Sequence, residues 1–336
     1  MIKTSSLVNK TILAILLILL ASSTIKSQNS VNSGSHLAEI FTDFHYNLRS
    51  DSNTTGFNVN RAYFGYNYIV DKNFSANITL NIGSPDDLAP GSADRRYVCF
   101  REASLTYANE TLNLTFGMTT ARLFSFQQKF WGKRYIARTY QSINGYGFVA
   151  DLGLVADYKF NDVVEADLSI MNGEGYTKLQ LDNAVKTGLG ITITPVKEVA
   201  IRVFSDVIQT QGLWQATLVG FAGFKNERVT FGAEASYKSN LDLIKNHHAW
   251  GISGTAAISL TKKLEFFSRY DYSTSIIAPG DVMPWNIVKD GQFLINGFQY
   301  TFNNIVKIAI DNQARFPSDK EKTISDLIFI NALFKF

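Results

Sequence analysis

The chain has 336 residues, of which 46% are hydrophobic and 13% aromatic, and it contains a single cysteine. One cysteine excludes an internal disulfide, so an exported chain of this size would need another source of stability, such as an extensive hydrogen-bonded sheet. The formal charge of +3 comes from 32 Lys and Arg against 29 Asp and Glu. Three of the lysines lie in the first 27 residues. Without them the chain is formally neutral, which gives no support to nucleic-acid binding.

The N-terminal segment has the organisation of a secretory signal peptide. MIKTSSLVNK is basic, TILAILLILLA is an uncharged apolar run, and SSTIKSQ is small and polar. A transmembrane helix needs about 20 apolar residues, which this run does not reach. We therefore expect residues 1–27 to be a signal peptide that is cleaved after Ser27, and residues 28–36 to form a short polar lead on the periplasmic side.

Beyond residue 36, apolar and polar residues alternate over many short segments. In NFSANITLNIG, residues 73–83, every second residue from Phe74 to Ile82 is apolar and the residues between them are Ser, Asn or Thr. The alternation recurs in ADLGLVADYKF, VTFGAEASYK and AWGISGTAAISL. Such segments predict strands with one apolar and one polar face, and about 9 to 12 residues are enough to cross a bilayer at a tilt.

The connections between these segments are of two alternating kinds. Short turns rich in Asn, Asp, Lys or Pro occur at IVDKNF, ANETL, FNDVV, TPVKEV, KNERV, LTKKL and FNNIV. Longer connections lie between them, with one brief exception near Gln211. Seven turns and eight loops join sixteen strands. We therefore predict an all-β fold, a transmembrane antiparallel up-and-down β-barrel of about 16 strands over residues 37–336.

Closure of this barrel is required because an open sheet edge in lipid would leave backbone donors and acceptors unpaired. The last strand, DLIFINALFKF, must then pair with the first, and its stripe of Ile328, Ile330, Ala332, Phe334 and Phe336 would face lipid. A terminal aromatic residue resembles the signal that barrel-assembly machinery recognises, so Phe334 and Phe336 are the candidate assembly signal. The alternative fold is a soluble two-sheet sandwich, which would bury the apolar face and would not need two alternating loop lengths.

Several short motifs lie within residues 57–160. They are Arg61, Ala62 and Tyr63 at a strand start, Phe116 and Gly117 at a strand end, and Arg134, Tyr135 and Ile136 in a loop that leads to Asp151, Leu152 and Gly153. In these motifs the chain resembles the porin family that includes the phosphate-selective porins O and P. The resemblance implies a sixteen-stranded barrel, commonly a homotrimer, with one loop folded into the lumen.

The longest loop, residues 120–147, is the candidate constriction of the predicted pore. Its basic residues are Arg122, Lys129, Lys133, Arg134 and Arg138, and it contains no acidic residue. If the loop folds inward, five uncompensated positive charges would concentrate anions at the narrowest point. If the loop lies on the outer surface, the same charges would contact lipopolysaccharide phosphates or water. Its length, its aromatic content and the family resemblance favour the inward position.

The predicted lumen-facing strand positions carry charges of both signs. The candidates are Arg61, Asp151, Asp157, Lys159, Arg202, Arg269 and Arg315. Selective capture of phosphate would need a track of guanidinium groups of one sign, which these positions do not provide. We therefore predict a general or weakly anion-preferring channel for passive diffusion of ions and small anionic or neutral solutes, with phosphate among the candidates.

Two other functions compete with this prediction. A non-conducting structural or adhesive barrel would bind partners through its outer loops. An embedded hydrolase would need a catalytic pair near a rim, for which Asp242 and His247 are the nearest candidates. The adjacent His247 and His248 would point to opposite faces of a strand, which disfavours a shared metal. We expect a protein of the Gram-negative outer membrane, in contact with outer-membrane lipid, without enzymatic activity or cofactor.

Overall fold

The computed structural model describes residues 33–49, 55–83, 97–276, 279–280 and 290–336. Within them, sixteen antiparallel strands form one closed barrel. The strands are β1 (Gly34–Asn47), β2 (Gly56–Ile69), β3 (Phe74–Ile82), β4 (Val98–Ala108), β5 (Leu112–Thr120), β6 (Ala150–Lys159), β7 (Val164–Met171), β8 (Lys186–Val196), β9 (Val199–Thr210), β10 (Leu213–Lys225), β11 (Val229–Ser239), β12 (His248–Ser259), β13 (Leu264–Ile276), β14 (Gly291–Thr301), β15 (Val306–Pro317) and β16 (Ser325–Lys335). The predicted barrel is confirmed and the two-sheet sandwich is wrong.

Three short helices complete the described part. They are α1 (Arg122–Trp131), α2 (Tyr140–Ile143) and a 3-10 turn (Leu241–Leu243). Both α-helices lie in the loop between β5 and β6. No helix in the described ranges has the length and apolar character needed to cross a membrane.

The barrel closes by pairing its first and last strands. The β1–β16 ladder runs in register from Glu39 opposite Lys335 to Asn47 opposite Leu327. The terminal residue takes part, because Phe336 and Ala38 exchange two backbone hydrogen bonds of 2.8 and 2.9 Å. Along β16, Asn331 faces inward and is 1% exposed, whereas Phe336 is 70% exposed on the outside. The predicted closure and the outward direction of the terminal stripe are confirmed.

The seven predicted short turns all lie on one rim, here called the short-turn rim, and most of them use one local hydrogen-bonding device. In the β4–β5 turn, the Asn109 side-chain oxygen accepts hydrogen bonds from the backbone N–H groups of Thr111 and Leu112, at 2.9 and 2.8 Å. The equivalent side chains in other turns are Asp71, Asn161, Asn226, Thr261 and Asn303. A side chain that accepts hydrogen bonds from two backbone N–H groups stabilises a tight reversal of the chain, so no longer loop is needed.

The N-terminal boundary differs from the prediction. The predicted lead spans residues 28–36, but β1 already begins at Gly34. Ser35 and His36 extend the β1–β2 ladder opposite Asn67 and Tyr66, so their polar side chains do not prevent pairing at the rim. The predicted signal peptide, residues 1–27, lies outside the described residues.

Candidate pore constriction

The loop between β5 and β6, residues 121–149 and here called the lumen loop, lies inside the barrel. Its Tyr135 hydroxyl donates a 2.8 Å hydrogen bond to Gln299 of β14, and Gln141 donates a 2.6 Å bond to Glu234 of β11. The β15 residue Gln313 donates to the Ile136 carbonyl at 3.3 Å. One loop that contacts these three strands must lie in the lumen, which confirms the predicted inward fold.

Two apolar clusters attach the lumen loop to the barrel wall. In the first, Trp131, Tyr135 and Ile136 of the loop contact inward-facing residues of several strands, namely Phe41, Tyr63, Ala257, Phe267, Phe293, Ile295 and Ala309. In the second, the loop supplies Leu123, Phe124, Tyr140 and Tyr146, and the wall and an outer loop supply Phe204, Val219, Leu241 and Ala249. The prediction of a polar inner face for each strand is wrong at these wall positions, because they form a second hydrophobic core with the loop.

Basic side chains of the wall hold the backbone of the lumen loop. Arg202 donates to the Arg122 carbonyl at 3.1 Å, and Arg269 donates to the Arg138 carbonyl. Both guanidinium groups are also paired with carboxylates of the wall: Arg202 lies 2.6 Å from Asp167, and Arg269 lies 2.6 Å from Asp271. These two arginines, both among the candidate lumen-facing charges, support the loop, and their charges are compensated.

Two of the five loop charges are compensated as well. Arg122 makes a bidentate contact with Asp157, with both nitrogen–oxygen distances at 2.7 Å. Lys133 lies 2.6 Å from Glu265, and burial is the main influence that lowers its pKa. The expectation of five uncompensated charges is therefore wrong, because wall carboxylates on β6 and β13 reach these two. Lys129 and Arg138 are exposed, and Arg134 is half-buried and donates to Gln128 at 2.7 Å.

Arg134 belongs to a group of three arginines, Arg61, Arg101 and Arg134, here called the arginine cluster, two of which lie over the ring of Tyr63. The Arg101 and Arg134 guanidinium carbons lie 4.5 and 5.8 Å from the centre of the Tyr63 ring. Arg61 donates to Asn81 at 3.1 Å and is 8% exposed. Among the described residues, Arg101 and Arg134 have no carboxylate within salt-bridge distance, and the Arg101 Nε has no hydrogen-bond partner. Burial lowers the pKa of Arg134, and the charges of Arg101 and Arg61 lower it further.

Sequence reasoning missed Arg101 because β4 does not alternate regularly. Thr79 pairs with Glu102 but its neighbour Leu80 pairs with Phe100, so Arg101 is the extra residue of a β-bulge. A bulge leaves one residue unpaired and re-aims its side chain. The available signal was the spacing of outward apolar residues, which changes from two to three between Phe100 and Ala103.

A second loop narrows the lumen beside the arginine cluster. Tyr176, in the β7–β8 connection, accepts hydrogen bonds through its hydroxyl from Asn81 at 3.1 Å and from Arg61 at 3.5 Å. Its backbone N–H donates to the Ala150 carbonyl at 3.1 Å. Tyr176 thus joins β6 to β2 and β3 across the intervening strands. The sequence predicted a long outer loop here, but not this contact.

Two cavities in the lumen extend to the short-turn rim, and Arg101, Gln128 and Lys129 line both of them. The larger, about 780 Å³, has equal numbers of basic and acidic residues in its wall, including the Arg122–Asp157 pair. The smaller, about 610 Å³, is lined by Arg101, Lys129, Arg134, Lys307 and Lys335 against the single acidic residue Glu39. The second space, here called the basic cavity, carries an excess of positive charge.

The remaining predicted residues have other positions. Asp151 is buried and accepts backbone hydrogen bonds from Leu152 and Gly173, at 2.8 and 2.6 Å, so it orders the start of the β7–β8 connection. Lys159 lines the larger cavity and lies 2.7 Å from Asp162 in a short turn. Arg315 lies 4.4 Å from the centre of the Phe293 ring.

The residues considered for hydrolysis lie at the opposite rim. Asp242 is in the 3-10 turn and has a left-handed φ of 56°. The same turn is closed by a 2.7 Å bond from the Leu241 N–H to the His247 carbonyl. The backbone of His247 therefore has a structural role in this loop.

No family model and no curated protein matches the chain. Among solved structures, it is similar to the outer membrane channel DcaP of Acinetobacter baumannii, with 15% identity, a TM-score of 0.64 and coverage of 91% of this chain and 97% of that chain. It is also similar to the anion-selective porin from Comamonas acidovorans, with 9% identity, a TM-score of 0.65 and coverage of 91% of this chain and 100% of that chain. A third similar structure is the trimer form of OmpT, an outer membrane protein of Vibrio cholerae, with 12% identity, a TM-score of 0.60 and coverage of 91% of this chain and 99% of that chain. The chain thus has the sixteen-stranded barrel fold of outer-membrane porins, and the resemblance to the phosphate-selective porins O and P is supported at this level only.

Proposed function

We propose that the protein is an outer-membrane porin that admits ions and small hydrophilic solutes by passive diffusion, with a weak preference for anions. The observation that carries the proposal is the basic cavity, where five basic side chains face one carboxylate in water-accessible space beside a lumen loop. A low-dielectric wall lined by one sign of charge raises the local concentration of counter-ions.

The preference is weak because most other basic groups of the lumen are neutralised. Arg122, Arg202 and Arg269 each bind a carboxylate at 2.7 Å or less. A strongly phosphate-selective pore would need successive unpaired guanidinium groups along the path. Arg101 and Arg134 give one such station beside Tyr63, so phosphate and other small anions enter as permeant species and neutral solutes pass as well.

The proposal includes the location and assembly of the protein. Residues 1–27 would direct export and be cleaved after Ser27. The barrel-assembly machinery would recognise Phe334 and Phe336 at the end of β16, and the folded barrel would reside in outer-membrane lipid of a Gram-negative bacterium as a homotrimer. The trimer form of the similar OmpT structure supports this last element. The channel would act without enzymatic activity or cofactor.

The test is single-channel conductance of the refolded mature protein in a planar bilayer under a salt gradient. We expect stable conductance steps and a reversal potential with a chloride-to-potassium permeability ratio above one. A ratio below one would refute the anion preference and leave a porin. Absence of conductance from protein with the heat-modifiable mobility of a folded barrel would refute the porin itself.

One observation favours a second candidate, a non-conducting structural or adhesive barrel. The lumen loop packs against β9, β10, β12–β15, β1 and β2, and Tyr176 bonds to Asn81 and Arg61 on the side that the loop leaves open. If these contacts close the path, Tyr176→Ala would create conductance where the unmodified protein has none. If the protein is a porin, the same substitution would enlarge an existing conductance.

A further inference from the structure

Four consecutive strands carry polar side chains on the outer surface of the barrel. On β13 and β14, the Ser268 hydroxyl and the Asn296 amide are joined by a 2.7 Å hydrogen bond. On β15 and β16, the Asn312 amide donates to the Asp326 carboxylate at 2.6 Å. Asn296 and Asn312 are themselves direct partners in the β14–β15 ladder. These four residues form a continuous group, here called the polar band.

The outward direction of the polar band follows from the residues beside it. On β14, Ile295 is buried in the first lumen cluster, so its neighbour Asn296 points away from the lumen. On β15, Gln313 bonds to the lumen loop, so Asn312 points outward. On β13 and β16 the inward residues are Phe267, Arg269 and Asn331. Ser268 and Asp326 therefore lie on the outer face as well.

Asn296 and Asn312 of the polar band lie within the apolar belt of the barrel, whereas Asp326 is the second residue of β16 and lies near the long-loop rim. On β14 the outward neighbours of Asn296 are Leu294 and Phe298, and Phe298 is 49% exposed. On β15 the next outward residue toward the short-turn rim from Asn312 is Ile310, which is 57% exposed. Asn296 and Asn312 are thus midway along strands of 11 and 12 residues. Lipid chains offer an amide or a carboxylate no hydrogen bonds, and charged groups on a lipid face are destabilising.

Hydrogen bonds within the polar band satisfy only part of its polar atoms. In the described structure, the Asn296 amide bonds through one of its two ends, and one carboxylate oxygen of Asp326 accepts the Asn312 bond. A protein surface could supply partners for the remaining atoms, whereas lipid could not.

The neighbouring outer face, on β10–β12, is shaped for close approach. Its outward residues include six small ones that are adjacent in the ladders, Gly220, Ala222, Ala233, Ala235, Gly254 and Ala256. A Cβ atom added at Gly220 or Gly254 would meet no atom within 4 Å. Small residues allow two chains to approach closely within a membrane. The face from β10 to β16 thus combines a patch of small residues, flanked by the exposed Leu218, Phe231 and Ile252, with a polar half.

We infer that the outer face of β10–β16 is the contact surface between copies of this chain, with the polar band of one copy covered by its neighbour in the oligomer. A second copy fits because residues that lie nearest the symmetry axis of a closed ring meet the same residues of the neighbouring copies. With the polar band at the axis, its free polar atoms find polar partners on the other copies, and the adjoining small residues permit the close approach. The inference rests on the proposed oligomer and locates its surface.

The experiment compares matched outward substitutions in protein extracted with mild detergent, with the mass of the protein–detergent complex as the measurement. Gly254→Trp adds a large side chain where the protomer has free space. Asn296→Leu removes the amide atoms that need hydrogen-bond partners from a neighbouring copy. The controls are Ala166→Trp on β7 and Ser205→Leu on β9, which make the same kinds of change on the outward face of other strands.

We expect an oligomer for the unmodified protein and both controls, and monomers for Gly254→Trp and Asn296→Leu. An unmodified protein that is monomeric, or an oligomer that survives both test substitutions, would overturn the inference. Asn296→Leu carries the test if Gly254→Trp does not fold, since leucine is favourable on a lipid face. Conductance of the monomers reports on the pore separately: monomers without conductance would contradict the porin proposal but leave the contact surface in place.

Discussion

The two sides of the lumen use equivalent inward positions in opposite ways. On β9, β13 and β14, Phe204, Phe267 and Ile295 point inward and are at most 2% exposed, because the lumen loop covers them. On β3 and β4, Asn77 and Thr106 point inward into the cavity of about 780 Å³. An inward position of this barrel is thus polar only where water reaches it. One barrel therefore contains a hydrophobic core on one side of its axis and a wet channel on the other.

Charges follow the same division. On the covered side, Arg269 and Asp271 form an ion pair whose side chains are 1% and 4% exposed, so its field in the channel is small. On the open side, Arg101 and Arg134 share the Tyr63 ring without a described carboxylate partner. The selectivity of the channel should therefore depend on the open side and the stability of the constriction on the covered side.

Among substitutions that would uncover the apolar side of the lumen, we expect the largest effect from Trp131→Ala in the lumen loop. Trp131 is 6% exposed and its ring lies edge-on to Phe267 at 6.1 Å. Loss of a buried tryptophan costs about 3–5 kcal/mol. We expect the loop to detach while the barrel stays folded, which limited proteolysis within residues 121–149 and larger, noisier conductance would detect. Trp214→Ala, on the outer face and 55% exposed, is the control and should leave both readouts unchanged. Equal resistance of both variants to protease would contradict the second-core interpretation.

A smaller effect is expected for Asp157→Asn, which removes the carboxylate partner of Arg122 at the start of α1. The two side chains are 33% and 20% exposed, so solvent screens part of the interaction. We expect a loss of about 1–2 kcal/mol in the attachment of the loop. Hydrogen exchange of the α1 amides would measure it. Asp162→Asn disrupts the exposed pair with Lys159 and should not change exchange in α1; equal effects of the two would show that the Arg122 contact does not anchor the helix.

Much of this architecture was predictable because it depends on local rules. Alternation in NFSANITLNIG fixes which side of β3 faces lipid, and a side chain such as Asn109 that caps its own turn marks where a strand reverses. The strand count follows from counting such turns. Closure follows from the physics of lipid, which leaves no other partner for the DLIFINALFKF strand.

The constriction was less predictable because its contacts join distant parts of the chain. Lys133 and Glu265, like Arg122 and Asp157, belong to separate segments that only the closed barrel brings together. Arg101 was hidden by a bulge that interrupts the period of two in β4. The inward phenylalanines of β9 and β13 could have indicated a covered wall, since an aqueous channel has no use for Phe204 or Phe267.

Selectivity should respond to the open side alone. Arg134→Ala removes one of the positive charges that line the basic cavity. At about 6 Å in water, the attraction of one such charge raises the local concentration of an anion roughly threefold. We expect the chloride-to-potassium permeability ratio to fall by about threefold, within the limits set by screening. The reversal potential under a salt gradient measures this. Lys197→Ala, in a short turn with 89% of the side chain exposed, is the matched control. A ratio that falls equally in both would mean that overall charge, not the arginine cluster, sets the preference.

The smallest expected effect is the dependence of the anion preference on salt. The Debye length shortens from about 10 Å at 0.1 M to about 3 Å at 1 M, so mobile ions in the basic cavity screen Arg101 and Arg134 increasingly well. The permeability ratio should decline toward one as salt rises in steps at a fixed gradient. The double variant Arg101→Ala with Arg134→Ala should weaken this dependence, because two of the five basic groups of the basic cavity are gone. A ratio that stays constant with salt in the unmodified protein would contradict the role of Arg101 and Arg134 in the anion preference.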